Sequence, residues 1–89
     1  MNNTRRKEIK TALSALGDIQ NQLESLKEQL AAIQEGEQEA YDNLPESLQE
    51  AERGQAMQEA LQSLEDATSA ADDATSAAEQ IAESLEAIQ

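Results

Sequence analysis

The chain has 89 residues, with 19 acids against six bases and a formal net charge of −13. It has no cysteine and no histidine, which excludes disulfides, thiolate chemistry and the imidazole on which most general-base and soft-metal sites rely. Its apolar content is 38%, but much of that is alanine, with ten Leu, five Ile and no Val, Phe or Trp, so a compact single-chain core is not expected.

Taken in order, residues 1–10 carry Arg5, Arg6, Lys7 and Lys10 against Glu8, a net of +3. They include no apolar h-region, so no secretory signal is expected. Residues 11–89 carry 18 acids against Lys27 and Arg53, a net of −16. No apolar run approaches the ~18 residues of a membrane span. A soluble cytoplasmic protein that binds neither nucleic acid nor membrane directly is the expectation.

A first helix is expected over about residues 4–42, with Thr4 as its cap. Its apolar positions are Ile9, Leu13, Leu16, Ile19, Leu23, Leu26, Leu30 and Ile33, at spacings 4, 3, 3, 4, 3, 4, 3. That is a heptad-like seam with one short step at Leu16–Ile19, which holds Gly17. A missing residue in the 3-4 rhythm overwinds a coiled coil locally, and a mid-helix glycine costs about 1 kcal/mol. A continuous helix is favoured over a break at Gly17-Asp18, and Gly36 poses the same choice near the other end.

The stretch Glu37–Gly54 holds the only proline, Pro45, and the only aromatic, Tyr41. It reads as an elbow over about residues 43–51. Pro45 suits a first helical turn and disfavours helix at Leu44, so PESLQ reads as one short turn. Tyr41, Leu44 and Leu48 form an apolar plug that closes the hairpin. Arg53, alone among acids, is expected to pair with Glu50 or Asp42. The elbow is also the candidate partner-binding site, comprising Tyr41, Leu44, Pro45, Leu48 and Arg53, because tyrosine and arginine are enriched at interface hot spots.

A second helix is expected over about residues 52–88. Asp66–Asp72 reads DATSAAD and Asp73–Glu79 reads DATSAAE, a seven-residue repeat and hence a heptad. Extended along the helix, the frame gives a broad apolar face. Leu64, Ala71, Ala78 and Leu85 form one column. Ala60, Ala67, Ala74, Ile81 and Ile88 form the next, and Leu61, Thr68, Thr75 and Ala82 the third, with Ala70 and Ala77 widening the face. A face of about four columns in seven is broader than a two-stranded seam requires. Helix packing and dimerisation are therefore assigned to Leu61, Leu64, Ala71, Ala74, Ala78, Ile81 and Leu85. The opposite side carries Glu65, Asp66, Asp72, Asp73 and Glu79.

The fold class is all-α: an antiparallel two-helix hairpin, dimerising into a four-helix bundle. Folding at residues 47–48 pairs residue i with about 95 − i, which sets Arg5–Lys10 beside Glu83 and Glu86 and near the negative end of the second helix dipole. No nucleophile–base set, phosphate loop or zinc spacing is present, and the acidic pairs lack the glycine turn of a calcium loop. No cofactor, metal or catalytic residue is expected. The Thr68 and Thr75 hydroxyls are expected to bond back to their own helix, although a narrow Ala/Thr waist also suits a small sequestered ligand.

Function reads as non-enzymatic protein–protein interaction, with a second copy and a further protein as partners. A nucleic-acid mimic is the alternative: sixteen net charges over about 57 Å of helix give about one per 3.5 Å, close to a single strand. The elbow, EQEAYDNLPESLQ followed by ERG, Met57 and an Ala/Leu/Glu-rich heptad helix, resembles small uncharacterised helical-hairpin proteins of Gram-positive bacteria and their phages over about residues 35–65. Where those proteins carry serine, this chain has Ala51, a poorer cap. The resemblance implies a helical hairpin and a phage or mobile-element origin, from which an inhibitor of a host defence or regulatory protein follows as one form of the function.

Overall fold

The computed structural model describes all 89 residues. Helix α1 spans Asn3–Asp42, a single turn α2 spans Glu46–Gln49, and α3 spans Glu52–Ala87. There is no strand. The two long helices lie side by side in a rod of 68 × 15 × 14 Å, the shape forced on a chain whose large apolar residues suffice for a seam but not for a globule.

Helix α1 begins one residue before the expected cap. Asn2, in extended geometry, accepts the Arg5 amide at 2.8 Å, so Thr4 lies inside the first turn rather than capping it. Both residue types can cap, but the asparagine stands ahead of the first free amides. Neither Gly17 nor Gly36 interrupts the helix, because each keeps ordinary helical geometry and the packed seam outweighs the local cost. Ala51, the N-cap of α3, makes no side-chain cap bond.

The buried face of α1 differs from the one the apolar residues trace. Buried and half-buried positions run Ile9, Leu13, Leu16, Gln20, Leu23, Lys27, Leu30, Gln34, Glu37 and Tyr41, continued past the helix end by Leu44, with Gly17 half-buried beside Leu16. The steps alternate 4 and 3 without interruption, so there is no overwound step at Gly17. The short step arises because Ile19, and after it Leu26 and Ile33, leave the seam for the next column. The seam position beside each is filled by Gln20, Lys27 and Gln34, whose aliphatic stems can line an apolar seam while their polar ends reach water. On α3 the covered residues are Gly54, Met57, Leu61, Leu64, Thr68, Ala71, Thr75, Ala78, Ala82 and Leu85, again in steps of 3 and 4. Each arm thus shows the other an a/d seam.

The register also departs from expectation. The cross-helix contacts Lys27–Asp72 and Tyr41–Gln58 both join residues whose numbers total 99, so residue i lies beside about 99 − i rather than 95 − i. The elbow is asymmetric, because α2 folds back onto the start of α3 and moves the apex of the turn to Gln49-Glu50.

Candidate functional site

At the elbow, backbone and side-chain bonds converge on Tyr41. Its carbonyl accepts the Leu44 amide at 3.0 Å and the Gln49 side-chain amide at 3.0 Å, and its hydroxyl accepts Gln58 Nε2. Tyr41 and Leu44 are half-buried, and this tyrosine ties α1 to α2 and α3. Pro45, Leu48 and Arg53 are exposed at the tip. Arg53 has no acidic partner within ion-pair distance, so the expected pairing with Glu50 or Asp42 does not form: those side chains lie on solvated surface, where an isolated pair gains little.

The residue that shapes the elbow is Gly54, for which the sequence reading assigned no role. It is buried, and a β-carbon there would stand 2.1 Å from the Gln49 carbonyl oxygen and 2.5 Å from its carbon. The end of α2 therefore crosses the first turn of α3 at a separation that only glycine permits. The available signal was its place one heptad before Leu61 in the seam column.

The acids expected on one face are exposed there: Glu65, Asp66, Asp72, Asp73 and Glu79. No three of them converge on a metal-sized site. Asp72 approaches the one base within the seam, Lys27, at 3.8 Å, and Lys27 also meets Glu24 at 2.9 Å. The hydrogen bond to Glu24 raises the Lys27 ammonium above its usual 10.5 against partial desolvation, and the charges of Glu24 and Asp72 add to it. The four bases of the first ten residues make no ion pair at all, so the expected placement beside Glu83 and Glu86 gives no contact.

The residues assigned to helix packing and dimerisation divide into two sets. Leu61, Leu64, Ala71, Ala78 and Leu85 face α1 in the a/d seam, while Ala74 and Ile81 are exposed. The exposed pair belongs to a second feature. With the seam as a and d, the g column of α1 is Ala12, Ile19, Leu26, Ile33 and Ala40, and that of α3 is Ala60, Ala67, Ala74, Ile81 and Ile88. Reversing one helix about the line joining the pair exchanges its flanks, so both g columns lie on the same side of an antiparallel hairpin. The register sets Ile19 beside Ile81, Leu26 beside Ala74 and Ile33 beside Ala67.

Five of the seven exposed large apolar residues fall in these two columns: Ile19, Leu26, Ile33, Ile81 and Ile88, each 43–56% exposed. The adjoining c columns add Ala15, Gln22, Gln29 and Gly36 from α1, and Ala56, Ser63, Ala70, Ala77 and Ser84 from α3. From residue 9 to 42 and from 54 to 88 no charged residue occupies g or c. A shallow open groove of about 400 Å³ lies along this side, lined by Ala77, Gln80, Ile81, Ser84 and Leu85. The hairpin thus has an uncharged apolar side and an acidic side. The Ala/Thr waist belongs to neither, because Thr68 and Thr75 donate to the Leu64 and Ala71 carbonyls within their own helix.

No helix is long and apolar enough to cross a membrane. No protein-family model, curated protein or solved structure matches the chain.

Proposed function

We propose that the protein is a non-enzymatic protein–protein interaction module whose contact surface is the uncharged side of the hairpin. The observation that carries this reading is the gathering of five half-exposed Leu and Ile side chains on one side in a chain of net charge −13. A contiguous apolar patch of this kind, rimmed by charge, marks an interaction surface. Its regular a/d/g pattern suits docking against other helices, and closure into a four-helix bundle is the architecture that would cover it.

Affinity capture with wild type beside Leu26→Glu/Ile33→Glu and Asp72→Lys/Asp73→Lys variants tests the reading. A directly binding protein lost with the first pair and kept with the second supports it. A partner kept with the first and lost with the second overturns it in favour of the acidic side, where a nucleic-acid mimic would work. The segregation of charge onto that side favours mimicry as the second reading: Glu65, Asp66, Asp72, Asp73 and Glu79 supply about two acids per 10.5 Å heptad of α3, and Glu24, Glu28, Glu35 and Glu39 of α1 add to them, a density near the one per ~3.4 Å of a single strand.

A further inference from the structure

We propose that the partner covering the uncharged side is a second copy of the chain, docked face to face with its elbow at the first copy's open end. This rests on the uncharged side being the contact surface, and adds the occupant and its direction.

Position supports the pairing. The g columns run from the level of Ala12 and Ile88 to the level of Ala40 and Ala60, with Leu26 and Ala74 midway, which is also the midpoint of the rod. A two-fold axis across the hairpin at Leu26 therefore overlays two copies along their full length. The patch is about 42 Å long at 1.5 Å per residue and about as wide as the rod, 15 Å. That gives roughly 600 Å² per copy and about 1,200 Å² in all, the lower bound for a specific interface.

Side-chain volume selects the direction. The bulk is uneven: Ile19 and Ile81 share one level, Ile33 and Ala67 another, and Ala40 and Ala60 the elbow level. With elbows together, one layer would hold four isoleucines and another four alanines, and the two copies would splay. With elbow to open end, α1 lies over α1 and α3 over α3. Ile19 and Ile81 then meet Ile33 and Ala67 of the second copy, and two Leu26 meet two Ala74 at the centre. The elbow alanines meet Ala12 and Ile88. Each of these layers then mixes large and small side chains, three isoleucines with one alanine on either side of a centre of two leucines and two alanines, so bulk is spread evenly along the bundle.

Charge selects the same direction. Residues 35–53 carry seven acids against Arg53. At the open end, Glu79, Glu83 and Glu86 are offset by Arg5, Arg6, Lys7 and Lys10, reduced by Glu8. Elbow on elbow would stack two strongly acidic ends. Elbow on open end sets each acidic elbow against a balanced end, with its unpaired bases on α1 above the second copy's α1 elbow.

The chain contains no cysteine, so a single Ser47→Cys substitution at the exposed tip takes one spin label without touching the uncharged side. Sedimentation equilibrium should give twice the chain mass. Pulsed EPR should give an inter-copy separation of about 60 Å, twice the ~21-residue distance from the axis at 1.5 Å per residue. Leu26→Glu, at an exposed position, should keep its helicity by circular dichroism and lose self-association. A separation under about 25 Å, two to three interhelical spacings, overturns the direction and leaves the contact surface intact. A wild-type monomer overturns the second copy as occupant and leaves a foreign partner. A dimer that persists in Leu26→Glu overturns both the inference and the reading beneath it.

Discussion

The three glycines share a residue type and a helical backbone, yet they have opposite roles. No heavy atom lies within 4 Å of where a β-carbon would stand at Gly17 or Gly36. Each therefore contributes only flexibility, and Gly17→Ala or Gly36→Ala should stabilise the hairpin by about 0.8–1.0 kcal/mol, raising Tm by roughly 4–8 °C in a domain of this size. Gly54→Ala drives a methyl group into the Gln49 backbone and should destabilise by about 1–3 kcal/mol, even though alanine is the better helix former. Thermal melts of the three variants in parallel check the ordering. The sequence exposes the first two, because a glycine inside a helical run is visible as a local cost. It hides the third, because the atom that demands glycine at 54 arrives from a separate helical turn whose path depends on the whole elbow. Thr4 illustrates the same limit at shorter range: two residues could cap α1, and the choice rested on which stood ahead of the first free amides.

At the scale of the helix, α1 carries two overlapping seams. From Leu16 to Ile33 its apolar residues fill d and g, and its a positions are Gln20, Lys27 and Gln34. The hairpin uses a and d, leaving g uncovered. Leu30 and Ile33 sit one turn apart on the two sides of this division. In dilute solution Leu30→Ala should cost about 1–2 kcal/mol, a partial share of the full core value, and Ile33→Ala less than about 0.5 kcal/mol, as for an exposed site. Urea melts at low concentration check the contrast, and a large loss from Ile33→Ala there would mean that the single hairpin already covers the g column. The heptad is legible in the sequence, most plainly in the DATSAAD/DATSAAE repeat of α3. Which columns of α1 face the partner arm is not, since 3-4 spacing fits d/g as well as a/d. Lys27 in the seam is met by Glu24 one turn earlier on its own helix, which the sequence shows, and by Asp72, which only the folded register supplies.

For the whole molecule, the rod form follows directly from composition, while its register does not. Length matching locates a turn near residues 47–48, but the asymmetric packing of α2 onto α3 shifts the pairing by about four residues, roughly one helical turn. The result is an elongated body with only five buried residues and an acidic side whose charges repel one another. Screening by salt should therefore stabilise it: raising sodium chloride from 10 mM, where the Debye length is about 30 Å, to 0.1 M, where it is about 10 Å, should raise the melting temperature. A fall would mean that attractive pairs such as Lys27–Asp72 outweigh the repulsion among Glu65, Asp66, Asp72, Asp73 and Glu79.

The crossing of α2 over Gly54 also sets an order of events. Tyr41 and Gln58 are separated by 17 residues along the chain, whereas contacts toward the open end join residues more than 60 apart, and short loops close at less entropic cost. The elbow is where the two arms can first meet, and the seam then closes toward Ile9 like a zip. Changes at the elbow should accordingly act mainly on the rate of folding, and changes near the open end on the rate of unfolding, a split that stopped-flow refolding and unfolding of the variants would read. The crossing of Gln49 over Gly54 should thus be where the two arms first pair in time as well as the contact that holds the reversal of the chain together.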